Sequence, residues 1–321
     1  MSTRRGTCTN RKFQDPRRTA CGSERAVVPF RNLDTLWVNT GTLCNIECAN
    51  CYIESSPRND RLSYIAAGEV SAYLDEIENL RMGTRLIGFT GGEPFMNPHF
   101  ITMLDDTLGR GFQALVLTNA MKPMWNRRDA LAGLRHRHAA SLQVRVSVDH
   151  YSREQHEAER GPGTWTPMLR GLHWLQEQGF EPTVAGRVPD DQTEAELRDG
   201  YAALFSVEGL EIDAQDPARL VLFPEMDETR DVPEITRQCW DLLSVRPEDQ
   251  MCATARMVVK RRDSPRPVVV ACTLLPHDPQ FELGATLAEA RRPVRLNHPH
   301  CARFCVLGGA SCSAGFDRSD A

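Results

Sequence analysis

The sequence predicts an α/β protein in which helices cover a parallel sheet, and three observations support this fold class. Apolar, strand-like runs alternate with segments of helical periodicity about six times between residues 33 and 225. Polar motifs follow several of these runs, at the carboxyl ends where parallel sheets collect ligands. No repeat of short period interrupts the alternation. This order of elements fits both an open, doubly wound sheet and a barrel.

The strands are predicted from short apolar runs bounded by turn residues. They span residues 33–40, 86–90, 114–118, 142–148, 183–188 and 220–223. In the fourth run, apolar side chains alternate with Gln143, Arg145, Ser147 and Asp149. The apolar face of such a strand packs against helices, so its polar face points into a lumen. Ser147 and Asp149 are therefore expected to reach a ligand, and Arg145 to line the same lumen.

The helices are predicted from apolar residues at helical spacing and from signals at their ends. They lie at residues 70–80, near 97–98, at 126–134, at 166–175 and after residue 193. Gly83 and Gly179 supply C-terminal stops. Thr193 and Glu196 form a capping box at the start of the last of these helices.

The composition argues against several functional classes. The chain has 321 residues and a formal net charge of −5, which does not favour a nucleic-acid partner. No apolar stretch reaches the roughly 20 residues of a membrane span, and no charged-then-apolar leader opens the chain. We therefore expect a cytoplasmic protein with no nucleic-acid partner and no membrane partner.

The eleven cysteines suggest metal or redox chemistry, because a chain without a secretion signal is not expected to carry a disulfide framework. Residues 1–30 are rich in arginine and poor in apolar residues. They are predicted to form a disordered basic tail in which Cys8 and Cys21 are free thiols. Most other cysteines fall into an early and a late group, which implies two sites.

The early group has the spacing C-x₃-C-x₂-C and follows the first predicted strand; its members are Cys44, Cys48 and Cys51. Three thiolates on one loop can ligate three irons of a [4Fe–4S] cluster and leave the fourth iron open. Two alternatives share the spacing. Positions i, i+4 and i+7 also lie on one face of a buried helix, although Asn45 and Asn50 are poor helix formers. A structural zinc site would need a fourth ligand nearby.

Further polar motifs follow the next three strands. They are Gly91-Gly92-Glu93-Pro94, Thr118-Asn119, and Ser147 with Asp149. Because the carboxyl ends of parallel strands meet at one edge, these motifs and the cysteine loop are expected to form one active site.

Together, these motifs resemble the radical S-adenosylmethionine (SAM) superfamily over residues 31–225. The resemblance implies a partial (β/α)6 TIM-like barrel with a SAM-binding [4Fe–4S] cluster on Cys44, Cys48 and Cys51. It implies an enzyme that reductively cleaves SAM to methionine and a 5′-deoxyadenosyl radical, which abstracts hydrogen from a substrate. It also implies an electron donor such as flavodoxin or ferredoxin.

The resemblance assigns cofactor-binding roles to a set of residues at the strand ends. They are Tyr52, Gly91, Gly92, Glu93, Pro94, Thr118, Asn119, Ser147, Asp149 and Arg160. The absence of Cβ at Gly91 and Gly92 lets backbone approach the methionyl group of SAM closely. Most family members carry an aromatic residue directly before the third cysteine, whereas this chain has Asn50 there. Tyr52 or Asn50 is expected to meet the adenine instead.

The segment from His156 to Trp165 is similar to one found in relatives with SPASM or twitch extensions, in which an arginine binds the SAM carboxylate. A guanidinium suits a carboxylate, which implies this role for Arg160. A surface arginine without a role remains the alternative, and Arg187 is a second candidate.

The last third, residues 226–321, resembles a shortened SPASM or twitch domain with an auxiliary [4Fe–4S] cluster. Residues 251–260 and 268–272 are predicted to form a hairpin, and a cysteine-rich tail follows. The implied ligands are Cys252, Cys272, Cys301 and Cys305, with Cys312 as a replacement for one of them. A structural zinc site is the alternative.

The sequence leaves the substrate open. No folded N-terminal region for capture of a leader peptide is apparent, and the shortened extension leaves the barrel mouth open. We therefore expect a peptide or protein substrate, with small-molecule cofactor or natural-product biosynthesis as the alternative. A non-catalytic Fe–S electron-transfer or scaffold protein and a zinc-stabilised binding module are alternatives of other classes.

Overall fold

The computed structural model describes residues 11–138, 141–225 and 230–311, and most of their strands belong to one large sheet. The strands are β1 (Val27–Val28), β2 (Thr35–Asn39), β3 (Leu86–Thr90), β4 (Gln113–Thr118), β5 (Leu142–Ser147), β6 (Thr183–Val188), β7 (Leu220–Pro224), β8 (Ala255–Val259), β9 (Val268–Val270), β10 (Glu282–Gly284) and β11 (Val294–Arg295). Strands β2 to β7 are neighbours in chain order and all pair in parallel. With the helices between them they form the predicted partial (β/α)6 TIM-like barrel.

Helices connect the parallel strands. They are α1 (Ala67–Asn79), α2 (Phe100–Gly109), α3 (Lys122–Trp125), α4 (Arg128–His138), α5 (Arg153–Arg160), α6 (Trp165–Glu177), α7 (Glu194–Glu208) and, after β7, α8 (Cys239–Leu243). The predicted capping box of Thr193 and Glu196 begins α7, and Gly209 ends it in the left-handed conformation. Within the described part of the chain, no helix is long and apolar enough to cross a bilayer.

The strands are buried on both faces, as expected for a parallel sheet covered by helices. All five residues of β2 and of β3 are buried. Trp37 of β2 pairs with Gly88 of β3, and a Cβ at Gly88 would collide with the indole ring. On β5, Arg145 is fully buried and donates to Thr183 Oγ1 of β6 at 3.1 Å. Arg145 therefore lies inside the molecule, whereas Gln143 and Ser147 of the same strand are half-buried.

The predicted C-terminal hairpin is confirmed as β8 and β9, which pair antiparallel. Strand β8 also pairs in parallel with β2, so the extension continues the barrel sheet. Strand β10 adds to β9, and a π-helical segment, Cys301–Leu307, follows β11.

The prediction of a disordered tail is wrong for residues 11–30. Strand β1 pairs with β11, and the buried Arg25 forms an ion pair of 2.6 Å with Glu234. Composition did not reveal this order, because the buried Arg25 is satisfied by carbonyls of Asp15 and Arg18 within the segment and by Leu296 and Glu234, which are distant in sequence. Cys21 forms a disulfide bond, so it is not a free thiol as predicted. Cys8 lies outside the described residues.

Candidate functional site

The carboxyl ends of the parallel strands surround a cavity of about 110 Å³ that gathers most of the predicted site residues. Its lining includes Cys44, Cys48, Cys51, Tyr52, Gly91, Gly92, Thr118, Asn119, Ser147, Arg160 and Arg187. These residues come from the loops after β2, β3 and β4, the ends of β4, β5 and β6, and helix α5. Glu93, Pro94 and Asp149 do not line this cavity, although Asp149 lines the cavity next to it.

The cysteine loop is irregular and not a helix, which removes the buried-helix alternative. The Cys44 N–H donates to the Ser56 carbonyl at 3.1 Å, and the Gly92 N–H donates to the Gly41 carbonyl at 2.8 Å. Gly91 has φ +138°, and a Cβ there would lie 2.6 Å from the Gly41 carbonyl oxygen. The Gly-Gly turn is therefore required for the close approach of the loops after β2 and β3.

The cysteine sulfur atoms accept hydrogen bonds from this scaffold. The Ser55 N–H donates to Cys51 Sγ at 3.3 Å, and Asn119 Nδ2 donates to Cys44 Sγ at 3.9 Å. Burial raises the pKa of Cys44 to about 12 and also raises that of Cys48. A thiolate at these positions therefore requires a nearby positive charge, which a bound metal centre supplies.

The spacing required of sulfur ligands differs between a cluster and a single metal ion. Among the described residues, no three Cys, His, Asp or Glu side chains converge as ligands of one metal ion. In a [4Fe–4S] cluster each thiolate binds a different iron, so the sulfur atoms lie farther apart than the ligands of one zinc ion. The hydrogen bonds to sulfur are of the kind that tunes such clusters.

Glu93 joins the ends of β3 and β4. Its carboxylate accepts from Thr118 Oγ1 at 2.8 Å, from the Asn119 N–H at 2.9 Å and from the Phe95 N–H at 3.3 Å. Burial raises the pKa of Glu93 to about 7, although these hydrogen bonds favour its charged form. The carboxylate thus orients Asn119 toward Cys44 from outside the cavity lining.

Two arginines share the buried carboxylate of Asp149. Arg160 donates through Nη2 to Oδ1 at 3.2 Å and places Nε 2.9 Å from Oδ2, while Arg187 Nε lies 3.4 Å from Oδ1. Burial alone would raise the pKa of Asp149, but the two guanidinium groups lower it. Arg187 Nη1 is buried and has no hydrogen-bond partner among the described residues. The group carries one surplus positive charge and suits an anionic ligand group.

Asn50, which replaces the family's aromatic residue, turns toward helix α5. Its Nδ2 donates to both carboxylate oxygens of Glu159 at 3.2 and 3.1 Å, and the Ala49 N–H donates to the Glu159 carbonyl at 2.8 Å. These bonds connect the cysteine loop to the helix that carries Arg160. Sequence reasoning missed Glu159, because its partner is more than 100 residues away and no local pattern marks the contact.

Three of the late cysteines, Cys252, Cys272 and Cys301, lie near one another. Cys252 is buried just before β8, and Cys301 is buried at the start of the π-helical segment. Burial raises the pKa of Cys301, and neighbouring Cys272 and Cys252 raise it further. Cys305 is half-buried on the same π-helical segment, whereas Cys312 lies outside the described residues.

Arg256 of β8 is a buried cation beside these thiols. Its side chain donates to the carbonyls of Ala290, Cys252, Ala255 and Arg292, and its guanidinium lies 4.6 Å from the centre of the Phe30 ring. Among the described residues, no carboxylate belongs to the contacts of Arg256. Burial lowers the pKa of Arg256 to about 10, and Cys252 and Cys272 act in the opposite sense. An anionic centre held by these cysteines would neutralise the guanidinium.

The chain spans less than half the length of the curated relatives that it matches. The chain is 28% identical to the antilisterial bacteriocin subtilosin biosynthesis protein AlbA of Bacillus subtilis (strain 168) over 44% of this chain and 30% of AlbA. It is 28% identical to the AdoMet-dependent heme synthase of Oleidesulfovibrio alaskensis over 46% of this chain and 36% of the synthase. It is 26% identical to mycofactocin maturase MftC of Mycobacterium tuberculosis (strain ATCC 25618 / H37Rv) over 51% and 39%.

Solved structures share the fold at low identity. Streptococcus suis SuiB bound to precursor peptide SuiA superposes with a TM-score of 0.58 at 12% identity, covering 81% of this chain and 63% of SuiB. Polyhistidine-tagged anSMEcpe with bound AdoMet gives a TM-score of 0.55 at 13% identity, covering 80% and 79%. The family model described as Radical SAM superfamily matches residues 38–199, half of the chain. The chain therefore belongs to the radical SAM superfamily and is an enzyme of that superfamily.

Proposed function

We propose that this enzyme uses the cavity at the strand ends to cleave SAM and to abstract hydrogen from a peptide or protein side chain. The observation that carries the proposal is the cavity lining, where three thiols, a Gly-Gly turn, a serine and two arginines meet. A Fe–S scaffold or electron-transfer protein would need the thiols alone. The remaining groups would then have no role.

Several groups of the lining have a task in this proposal. Cys44, Cys48 and Cys51 hold the cluster, and Asn119 and the Ser55 N–H donate to its sulfur ligands. The bound cluster and SAM supply one-electron cleavage of a carbon–sulfur bond and the 5′-deoxyadenosyl radical. Arg160 binds the carboxylate of SAM, since the two positive charges of Arg160 and Arg187 exceed the negative charge of Asp149 by one. The Gly91-Gly92 backbone allows close approach of the methionyl amine.

The names of the relatives support a peptide-derived or protein substrate. Mycofactocin maturase and a bacteriocin biosynthesis protein are among the curated matches, and SuiB shares the fold in complex with its precursor peptide. The heme synthase match supports small-molecule biosynthesis as the second candidate. Reduction of the cluster requires an electron donor such as flavodoxin or ferredoxin, which acts in the cytoplasm.

We further propose that Cys252, Cys272, Cys301 and Cys305 hold an auxiliary [4Fe–4S] cluster, with Cys312 able to replace one of them. The support is the group of neighbouring buried thiols and the buried Arg256, which has no carboxylate partner among the described residues. A structural zinc site is the competing assignment for the same thiols.

A triple Cys→Ala variant of the early group tests the first proposal. After anaerobic reconstitution, the variant should form no 5′-deoxyadenosine from SAM and dithionite, because the ligands of the SAM-binding cluster are gone. The matched control is Cys239→Ala, a half-buried cysteine outside both groups, which should retain the wild-type rate. Retention of that rate by the triple variant would disprove the assignment.

Metal analysis of the same triple variant tests the auxiliary site. About four irons per chain should remain, which is the content of one [4Fe–4S] cluster. Stoichiometric zinc with iron near zero would instead establish the structural zinc site.

Fractionated host extract distinguishes the substrate classes. Reduced enzyme with SAM should form more 5′-deoxyadenosine when a peptide-containing fraction is added, and protease treatment should abolish the stimulation. A stimulating fraction that passes a small-molecule filter and survives protease would refute the peptide assignment in favour of the second candidate.

A further inference from the structure

A second cavity of about 100 Å³ adjoins the proposed SAM site. The two cavities share Tyr52, Leu117, Ser147, Arg160 and Arg187. Beyond these shared residues and Asp149, the second cavity is lined by Ala185, Gly186, Phe223, Pro224, Leu274 and Phe304. We call this second space the aromatic cavity. The aromatic cavity lies beside Ser147, Arg160 and Arg187, where a substrate group would meet the proposed radical.

The extension of the chain builds the outer wall of the aromatic cavity. Phe304 lies on the π-helical segment and stacks on Phe223 at the end of β7, with ring centroids 5.5 Å apart and ring planes 26° apart. Arg303 fixes this segment through a bond of 3.1 Å to Asp190. A Cβ at Gly308 would lie 3.2 Å from Pro224 Cγ. The two rings are therefore held in place before a substrate arrives.

The charges of the aromatic cavity are confined to its inner side. They belong to Asp149, Arg160 and Arg187, which pair with one another and, in the proposed function, with SAM. No charged side chain belongs to the described residues that line the outer wall. A charged substrate group there would lose its hydration without gaining a partner. An apolar group would instead be favoured by the removal of its surface from water.

We propose that the aromatic cavity binds an uncharged apolar side chain of the substrate, aromatic or branched aliphatic, and that Phe304 determines this specificity. The inference rests on the proposed function for the identity of the neighbouring site. It assigns to the C-terminal extension a role in substrate selection, separate from any cluster it holds.

A fluorine NMR titration of the anaerobically reconstituted holoenzyme, saturated with SAM, tests the inference. The probes are 4-fluorotoluene, 4-fluorobenzoate and 4-fluorobenzylamine, which share a ring and differ in charge. The neutral probe should bind saturably and at least 10-fold more tightly than either charged probe. Phe304→Trp should weaken its binding at least 10-fold by filling the cavity.

Two further variants keep the test decisive. Leu307→Trp places the same bulk on the exposed side of the same segment and should leave probe binding unchanged. Leu274→Phe narrows the cavity from another loop and should weaken binding even where Phe304→Trp fails to fold.

Three results would overturn the inference: no saturable binding of 4-fluorotoluene with or without SAM, tighter binding of a charged probe, or binding that occurs without SAM and disappears when SAM is saturating. The last result would assign the cavity to the cofactor. SAM cleavage under dithionite is measured on the same samples. An enzyme that cleaves SAM but fails the titration refutes only this inference, whereas failure to cleave SAM refutes the proposed function.

Discussion

His156 is buried beside the proposed cofactor site without a hydrogen bond. Both ring nitrogens lack a partner among the described residues, and the ring packs edge-on against Trp165 at 5.3 Å. Burial and the nearby guanidinium of Arg160 lower the pKa of His156 to about 4. The native state therefore keeps this imidazole neutral at physiological pH, which avoids a third positive charge next to the arginine pair.

Acidification should destabilise the protein partly through His156. In the unfolded chain the imidazole binds a proton below a pH of about 6.5, whereas the native state does so only below about 4. The stabilisation is thus complete above pH 6.5 and is lost as pH falls toward 4, by at most about 3 kcal/mol. Urea unfolding of the cluster-free His156→Phe variant should show a shallower pH dependence than the wild type.

The exposed His136 supplies the control for that measurement. His136→Gln should keep the wild-type pH dependence. A His156→Phe variant with an unchanged slope between pH 7 and 4 would contradict the argument.

Arg256 yields a second prediction at the residue scale, because in the described part of the chain its hydrogen-bond partners are neutral carbonyls. In the triple Cys→Ala variant of the early group, Arg256→Met should shift the midpoint potential of the proposed auxiliary cluster to a more negative value. Removal of a nearby positive charge disfavours the added electron. Arg256→Lys, which keeps the charge, should shift the potential less. Potentiometric titration followed by electron paramagnetic resonance measures both, and equal potentials in the two variants would exclude this electrostatic role.

The elements of the barrel were predictable to the extent that they bury a regular apolar face. The strands Leu86–Thr90 and Thr183–Val188 have the predicted bounds, and the first strand begins two residues later than predicted. Helix α5 was not predicted, because its only buried residue is His156 and apolar periodicity cannot reveal such a helix. That helix carries Glu159 and Arg160.

In the candidate site, motifs that are local in sequence were predictable, and contacts between distant loops were not. The cysteine spacing and the Gly-Gly turn are local in sequence, and the structure brings both to the cavity. Contacts such as Asn50 with Glu159 join loops that are distant in sequence, so no local pattern predicts them. Glu93 accepts from the Asn119 N–H and lies outside the cavity lining, and its role at the cofactor stays a prediction.

The capping box of α7 gives a stability prediction at the element scale. Thr193 Oγ1 accepts from the Glu196 N–H, and the Glu196 carboxylate accepts from the Thr193 N–H at 2.8 Å. Thr193→Ala should lower the free energy of unfolding by about 1 kcal/mol, as measured by urea unfolding. Ser206→Ala, an exposed position of the same helix, should change it by less than about 0.5 kcal/mol. Equal effects of the two changes would show that the cap contributes nothing.

At the scale of the whole molecule, an N-terminal segment packs on the C-terminal extension, and the extension in turn continues the barrel sheet. Residues 25–31 cover the extension through β1, the Arg25–Glu234 pair and the contact of Phe30 with Arg256. Strand β8 extends the barrel beyond β2. The sequence could not predict this arrangement, because β1 contains only two residues and its partner lies near the other end of the chain.

Loss of the carboxylate of Glu234 should weaken this junction. Glu234→Gln would leave the fully buried guanidinium of Arg25 without a counter-ion, which typically costs about 3–5 kcal/mol. Hydrogen exchange should become faster first in β1 and β11, which form their own two-stranded sheet. The control is Glu24→Gln, which removes an exposed carboxylate 3.8 Å from Arg237 and should have almost no effect. Unchanged protection in both variants would refute the role of the buried pair.

The pairing of β1 with β11 has a consequence for synthesis on the ribosome. Val28 emerges early, yet its partner Val294 is translated only after most of the chain. At roughly 5–20 residues per second, this delay is on the order of tens of seconds. During that time the outer edge of β2, which pairs with β8 in the finished protein, is also open to other chains. Conditions that favour chaperone binding to nascent chains should therefore raise the yield of folded enzyme.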